Sequence, residues 1–155
     1  MATTHRENLK SQYPWAQSPL IVCAPMRLIA TCPLANAVTR AGGLGFLGAG
    51  TDVSTLSEML KEATTSFQKT PLPKTPDGIL PIGVGFICWG ADLSVTLSVI
   101  EAAPLKPAAA WLFAPQDPKE LLCWTEGIRK ASNGLTKIWI QVGTVASGSE
   151  VAKSC

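Results

Sequence analysis

Five short apolar runs recur along the chain, and each is followed by a stretch with helical spacing. The runs are Leu20–Ala24, Leu44–Leu47, Ile82–Trp89, Ala108–Phe113 and Ile138–Val142. Runs that are apolar at consecutive positions are typical of strands in a parallel sheet whose two faces are both covered. The pattern therefore predicts five buried β-strands.

Between the runs, apolar residues recur at the spacing of a helix. The clearest such face is formed by Leu56, Met59, Leu60, Ala63 and Phe67. Thr55 and Glu58 have the spacing of a capping box at its start. Asp92 and Asp117 are expected to be the N-caps of two later helices, and Pro33 is expected to open an earlier one.

Strictly alternating strands and helices predict an α/β fold with parallel strands joined by helical crossovers. Two architectures agree with this pattern, a doubly wound open sheet and an eight-stranded (β/α)8 barrel. Because a whole barrel takes about 250 residues, the 155 residues here would make about the first four and a half of its units. Residues 151–155 are expected inside a fifth helix that has no stop signal, so the chain looks cut short.

Charge and hydropathy exclude two classes of partner. Thirteen basic and eleven acidic residues give a net charge of +2 with no basic run, which argues against nucleic acid. No apolar stretch reaches the roughly 18 residues of a membrane helix. The sequence therefore predicts a protein that binds neither nucleic acid nor membrane.

Cysteine and histidine usage narrows the chemistry further. The five cysteines form an odd set without a C-x-x-C pair, which favours free thiols in a reducing compartment such as the cytoplasm. His5 is the single histidine and lies in a polar N-terminal tail, residues 1–17. A Ser-His-Asp triad and a histidine zinc site are therefore absent, and we assign no catalytic residue and no metal ligand.

Ligands of α/β sheets and barrels bind beyond the carboxyl ends of the strands, so the residues just after each run are the candidates. These are small and apolar, as in Ala24-Pro25-Met26 after the first run. Such a lining suits a flat aromatic ligand better than a metal or a phosphoanhydride. The glycines of residues 42–50 precede and follow a strand, which is the wrong order for a dinucleotide-binding loop.

Gln141 and Met26 each allow two interpretations. The Gln141 amide offers donors and an acceptor, which matches the pyrimidine edge of a flavin, but the residues alone favour a bond to backbone or water inside a barrel. Met26 could form an apolar floor under a ring or fill the core at a strand end. Trp111, Trp124 and Trp139 are expected to pack in the core, and Trp89 is left as a candidate pocket wall.

Three motifs resemble one protein family. They are APM within Pro19–Met26, AGGLGFLGAG over Ala41–Gly50, and PIGVGF over Pro81–Phe86. In this order and spacing they resemble the opening half of the nitronate monooxygenases, formerly called 2-nitropropane dioxygenases. The strand Trp139–Val145 continues the match, and its sequence most resembles that of fungal members.

The resemblance implies a function and a set of contacts. Members of this family are FMN-containing TIM barrels that oxidise alkyl nitronates with O₂ to carbonyl compounds and nitrite. By this resemblance residues 18–155 form the N-terminal half of an FMN-binding barrel domain. The residues implied to contact the cofactor are Ala24, Pro25, Met26, Gly85, Gln141 and Gly143. The family often has asparagine where this chain has Gly85, so one hydrogen bond to the flavin would be lost here.

The resemblance also implies what this chain lacks. A Gly-Gly-His element and the glycine-rich turns that hold the FMN phosphate follow later in the family, and neither occurs before Cys155. Whether the chain is itself an enzyme is therefore open. The alternative is a catalytically inactive flavin-binding fragment that pairs with another copy of itself through exposed strand edges.

Overall fold

The computed structural model describes residues 5–144 and residue 148, and it shows five strands that alternate with helices. The strands are β1 Val22–Cys23, β2 Leu44–Gly50, β3 Ile79–Ile87, β4 Lys106–Phe113 and β5 Lys137–Ile140. The helices are α1 His5–Gln12, α2 Cys32–Arg40, α3 Leu56–Lys69, α4 Leu93–Ala102 and α5 Pro118–Ala131. Of these helices, none is long and apolar enough to cross a membrane. The fifth crossover helix predicted at residues 151–155 lies outside the described residues.

The strand order decides between the two predicted architectures. Each strand lies beside its neighbour in sequence, in the order β1-β2-β3-β4-β5, and every pair is parallel. A doubly wound sheet reverses its order at a switch point, whereas a barrel adds each new strand on the same side. The fold is therefore a partial (β/α)8 barrel.

The sheet curls toward its inner face. The ring centroids of Phe46 on β2 and Trp139 on β5 are 5.6 Å apart, although three strand spacings in a flat sheet amount to about 14 Å. Trp111 on β4 lies between them, with its centroid 5.2 Å from that of Phe46. Curling brings these inner-facing rings together, so the five strands form a half-barrel.

The outer face of the sheet carries the main hydrophobic core. Helices α2 to α5 cover it, and Trp124 of α5 packs on Phe86 of β3 with 5.3 Å between ring centroids. The helix faces predicted from periodicity are buried there, with Leu56, Leu60, Ala63 and Phe67 on α3 and with Leu121, Trp124 and Ile128 on α5. The predicted packing role of Trp124 is confirmed.

Two of the three predicted N-caps are confirmed. Asp92 accepts a hydrogen bond from the Val95 backbone N–H at 3.0 Å, and Asp117 accepts one from the Lys119 N–H at 2.8 Å. The capping box predicted at Thr55 is wrong, because the Thr55 side chain makes no cap hydrogen bond. Its backbone has a ψ of 2° rather than the extended conformation from which an N-cap side chain reaches the helix end.

The N-terminal segment contributes to the barrel interior. Its assignment as a polar tail outside the domain stays a prediction, but the structure places a helix and two buried aromatic side chains there, Tyr13 and Trp15. They pack with Leu44 and Ile79, which begin β2 and β3. These residues therefore close the end of the half-barrel at which the strands start.

The observed strand ends differ most from the predicted ones at β1 and β2. β1 contains only two residues, and Pro25 shortly after it has no backbone N–H with which to extend the pairing. β2 runs past the predicted end at Leu47 as far as Gly50, with a register irregularity after Gly48. This extension places glycine backbone where the loop after β1 crosses the sheet.

Candidate functional site

The loop after β1 lies directly on the carboxyl end of β3. The ring of Pro25 packs on the α-carbon of Gly85, where a β-carbon would overlap Cβ and Cγ of Pro25. Gly85 is buried beneath this contact. Two residues implied by the family resemblance are thus in contact, and the lack of a side chain at position 85 has a steric cause in this chain.

Met26 carries the same loop across β2. Its carbonyl group lies against the α-carbon of Gly48 and accepts hydrogen bonds from the backbone N–H groups of Ile29 and Ala30 at 3.1 and 2.7 Å. The Met26 side chain is 47% exposed, so a ligand can reach it. Leu28, two residues later, has a φ of 66°, a strained conformation that occurs often at ligand sites.

One row of residues crosses the inner face near the carboxyl ends. Strand pairing aligns Gly48 with Gly85, Gly85 with Trp111, and Trp111 with Trp139. Gln141 follows Trp139 by two residues, and side chains two apart along a strand point to the same face. Pro25 above β3 and Gln141 after β5 therefore share this face; they are separated by two strand spacings, about 10 Å, across the sheet, and Gln141 lies two residues further along the strand direction than the row.

The Gln141 side chain is held by a neighbouring strand. Nε1 of Trp111 donates a hydrogen bond to Oε1 of Gln141 at 3.1 Å, and the Gln141 backbone N–H donates to the Leu112 carbonyl at 3.0 Å. An indole N–H can only donate, so it must face the amide oxygen rather than the nitrogen. Within the described part of the chain, no residue accepts from Nε2 of Gln141. Because Gln141 is exposed, a ligand can reach the two N–H groups on Nε2.

Four aromatic rings fill the interior at this row and toward the start of the strands, and we call them the aromatic floor: Tyr13, Phe46, Trp111 and Trp139. Centroid separations are 6.1 Å between Tyr13 and Trp139 and 5.7 Å between Trp139 and Trp111. Nε1 of Trp139 donates to the Tyr13 hydroxyl at 2.7 Å. Burial raises the pKa of Tyr13 to about 12, so this floor is uncharged at neutral pH.

The predicted core role of Trp111 and Trp139 needs refinement. Both pack against other aromatic rings, but they are half-buried on the inner face rather than enclosed in the outer core. The sequence pattern did not indicate Trp111 as a site residue. The available signal was its position, since it is the first bulky residue after three consecutive alanines, Ala108–Ala110, in the fourth apolar run.

Ala24 and Gly143 stand apart from the contacts described above. Ala24 is exposed, and its carbonyl accepts a hydrogen bond from the Met26 backbone N–H at 2.9 Å. Gly143 is also exposed, and no described atom lies within 4 Å of the place where its β-carbon would be. The structure thus joins Pro25 with Gly85 and leaves Gly143 without a packing partner there.

Among the described residues, the ionisable groups near these strand ends do not form a pair suited to general acid-base catalysis. Nη2 of Arg27 lies 3.8 Å from Oδ2 of Asp52, and both side chains are about half exposed. Hydrogen bonds from Ser54, and then the charge of Arg27, lower the pKa of Asp52. Burial raises the pKa of Cys88 to about 11, so its thiol stays protonated at neutral pH and is a poor nucleophile.

Two recessed cavities lie away from this face. One of about 430 Å³ is between α3 and α4, and one of about 840 Å³ is beside the N-terminal segment, where Trp15 and Arg40 line it. Neither is lined by Met26, Gly85 or Gln141. The candidate site is thus an open concave surface: an apolar loop on one side, an amide donor on the other, and the aromatic floor below.

Comparison with known proteins agrees with the family resemblance. The chain is 40% identical over 151 residues to nitronate monooxygenase npaC of Metarhizium robertsii, and 33% identical over 164 aligned positions to a nitronate monooxygenase of Neurospora crassa. These matches cover 96% and 93% of this chain but 42% of each relative. No protein-family model matches the chain, and no solved structure matches it significantly.

Proposed function

We infer that this chain is a relative of the nitronate monooxygenases; it spans about two fifths of the length of those it matches. We propose that it forms the ring-facing wall of an FMN-dependent oxidoreductase, which converts alkyl nitronates and O₂ to carbonyl compounds and nitrite. The observation that carries this proposal is the Gln141 amide, fixed by Trp111 on the same inner face as the Pro25–Met26 loop.

The residues of this face suit the ring of FMN. An isoalloxazine is planar and largely apolar, with a polar pyrimidine edge that carries carbonyl acceptors. Pro25 and the half-exposed Met26 provide apolar contact above β3. Gln141, at the end of β5 two strands away, provides N–H donors that are unpaired among the described residues. Gly85 has no side chain that could bond to the ring, and Pro25 occupies the space that one would fill.

FMN, when bound, supplies the electron-accepting chemistry of the reaction. Because a nitronate is already a carbanion equivalent, the protein does not need a strong base to begin. The role of this chain is to hold the reactants in register and to exclude water from the inner face. The aromatic floor and the apolar loop serve that role, and Gln141 orients the polar edge of the ring by donating to it.

The FMN phosphate is assigned to other parts of the barrel. The cation nearest the loop, Arg27, already lies close to Asp52 and is half exposed. The chain spans 42% of each relative, so the part of those relatives that it does not match is available to supply phosphate-binding backbone. We propose that this chain binds the ring by itself and that phosphate-binding backbone from the rest of the barrel strengthens that binding.

A second candidate is a flavin-binding fragment that associates with itself and does not turn over. The observation that favours it is the apolar exposure at the carboxyl ends, where Phe113 and Val142 are 42% and 40% exposed in addition to Met26. Within the described residues, β5 is paired along one edge only, with β4. A second copy could cover both features.

Two measurements on the purified chain, FMN binding and nitrite release, distinguish the oxidoreductase from the inactive fragment. The chain is mixed with FMN, binding is followed by quenching of flavin fluorescence, and nitrite release is measured with propane-2-nitronate under air. Bound FMN with nitrite release supports the oxidoreductase. Bound FMN without nitrite supports the inactive fragment, and no FMN binding contradicts both.

A further inference from the structure

The hydrogen bond between Trp111 and Gln141 restricts what the amide can offer. The Gln141 side chain is exposed at the end of β5, where an isolated amide would rotate freely and present either its oxygen or its nitrogen. Trp111 Nε1 lies 3.1 Å from Oε1 and can only donate, so it selects one of these two orientations. The nitrogen then points away from Trp111.

Trp111 is itself held in place on several sides. Its ring packs edge to face on Phe46 at 5.2 Å and lies 5.7 Å from Trp139, and its backbone is paired with Gly85 on β3. Phe46 is fully buried. A donor fixed on the aromatic floor therefore fixes the Gln141 amide above it.

We propose that Trp111 is a positioning residue that turns the Gln141 amide nitrogen toward the bound ring, so that the ring meets it with a carbonyl acceptor of its pyrimidine edge. This inference rests on the proposed function for the identity of the ligand. The amide orientation itself does not depend on a ligand. Trp111 acts through Gln141 and does not need to touch the ring.

A double-mutant cycle on FMN affinity tests the coupling. Gln141→Glu keeps an oxygen for Trp111 but removes both donors, and Gln141→Leu removes donors and acceptor, so each should weaken FMN binding about tenfold. Trp111→Phe should weaken binding by about threefold to tenfold in the parent chain. In the Gln141→Leu background it should have no further effect, because the group it positions is gone.

A flavin analogue tests the direction of the hydrogen bond. FMN with a pyrimidine carbonyl oxygen replaced by sulfur, at C2 or at C4, is a weaker acceptor at one known position. One of the two analogues should bind the parent chain several-fold more weakly than FMN. The Gln141→Leu variant should bind FMN and both sulfur analogues with one affinity, which is lower than that of the parent chain for FMN.

A measurement without ligand separates this inference from the proposed function. In the flavin-free chain, exchange of the Trp111 indole proton with water should be slower than in the Gln141→Leu variant, and the Gln141 side-chain NH₂ should lose order in Trp111→Phe. Equal indole exchange rates, or equal and additive effects of Trp111→Phe in both backgrounds, would overturn the positioning role. A chain that shows the exchange difference but no FMN binding would overturn only the proposed function.

Discussion

The hydroxyl of Tyr13 accepts a hydrogen bond from the indole of Trp139, 126 residues later in the chain. One partner belongs to the segment before β1 and the other to β5. Tyr13 is fully buried, so its hydroxyl cannot exchange this partner for water. The contact therefore ties the N-terminal segment to the last described strand across the interior of the half-barrel.

Removal of the Tyr13 hydroxyl, a single oxygen atom, should measurably lower the free energy of unfolding. Tyr13→Phe keeps the ring but leaves the Trp139 N–H without its acceptor, so we expect a loss of about 1–3 kcal/mol in the free energy of unfolding. Urea unfolding followed by tryptophan fluorescence measures it. In a Trp139→Phe background the same change should have a much smaller effect. A full-sized loss there would show that the hydroxyl acts through something other than Trp139.

Stability should fall in alkaline solution. Burial raises the pKa of Tyr13 from 10.0 to about 12 and that of Cys88 from 9.0 to about 11. A folded-state pKa above the unfolded value means that the unfolded chain loses its proton first, so stabilisation is complete below pH 9 and decreases as pH rises toward 11 and 12. The urea midpoint should therefore drop from pH 9 to pH 11. Cys88→Ala should make this drop in the urea midpoint smaller. An equally large drop in the variant would show that the buried Cys88 thiol does not contribute to it.

Gly85 should not tolerate a side chain while Pro25 is present. A β-carbon at Gly85 would overlap the Pro25 ring, so Gly85→Ala should cost about 1–3 kcal/mol and displace the loop that carries Met26. Gly143→Ala is the matched control, since nothing described lies within 4 Å of its β-carbon position. Thermal unfolding of both variants is compared. A Pro25→Gly background should relieve most of the Gly85→Ala loss, and no relief would exclude the steric cause.

Two helix caps that look alike in sequence should respond differently. Asp92 accepts a backbone hydrogen bond at 3.0 Å, so Asp92→Ala should destabilise the chain by about 0.5–2 kcal/mol. Thr55 makes no cap hydrogen bond, so Thr55→Ala should change stability by less than about 0.5 kcal/mol. Chemical denaturation of the two variants side by side gives both values. Equal losses would mean that the Thr55 hydroxyl caps α3 in solution.

The sequence predicted the features that depend on local patterns. Continuous apolar runs indicated the five strands, and helical spacing indicated the buried faces that carry Leu60 and Trp124. These patterns arise because each element must bury one face or both. Their period is set by backbone geometry, so neighbouring residues are enough to reveal them.

The contacts that shape the candidate site could not be predicted in this way. Trp111 and Gln141 are 30 residues apart, and the Pro25–Gly85 contact joins residues separated by α2, β2 and α3. Such contacts depend on strand register and on the curl of the sheet, neither of which a single sequence specifies locally. The family resemblance named Gln141 and Gly85, but the structure was needed to find their partners.

The open inner face should promote association between copies of this chain. Met26, Phe113 and Val142 expose apolar surface at the carboxyl ends, and within the described residues β5 pairs on one edge only. Since exposed apolar surface beside an unpaired strand edge favours self-association, sedimentation velocity should show dimers or larger species whose fraction rises with concentration.

Phe113→Glu should shift that equilibrium toward monomer, because a carboxylate would have to be buried in the contact. Leu135→Glu is the control, since Leu135 is 37% exposed but precedes β5 at the opposite end of the strand. It should leave the sedimentation profile unchanged, provided that both variants keep the parent's circular dichroism. If the parent chain sediments as a single monomer at all concentrations, the inner face does not mediate association. If Leu135→Glu dissociates the species as well as Phe113→Glu does, the contact lies elsewhere on the surface.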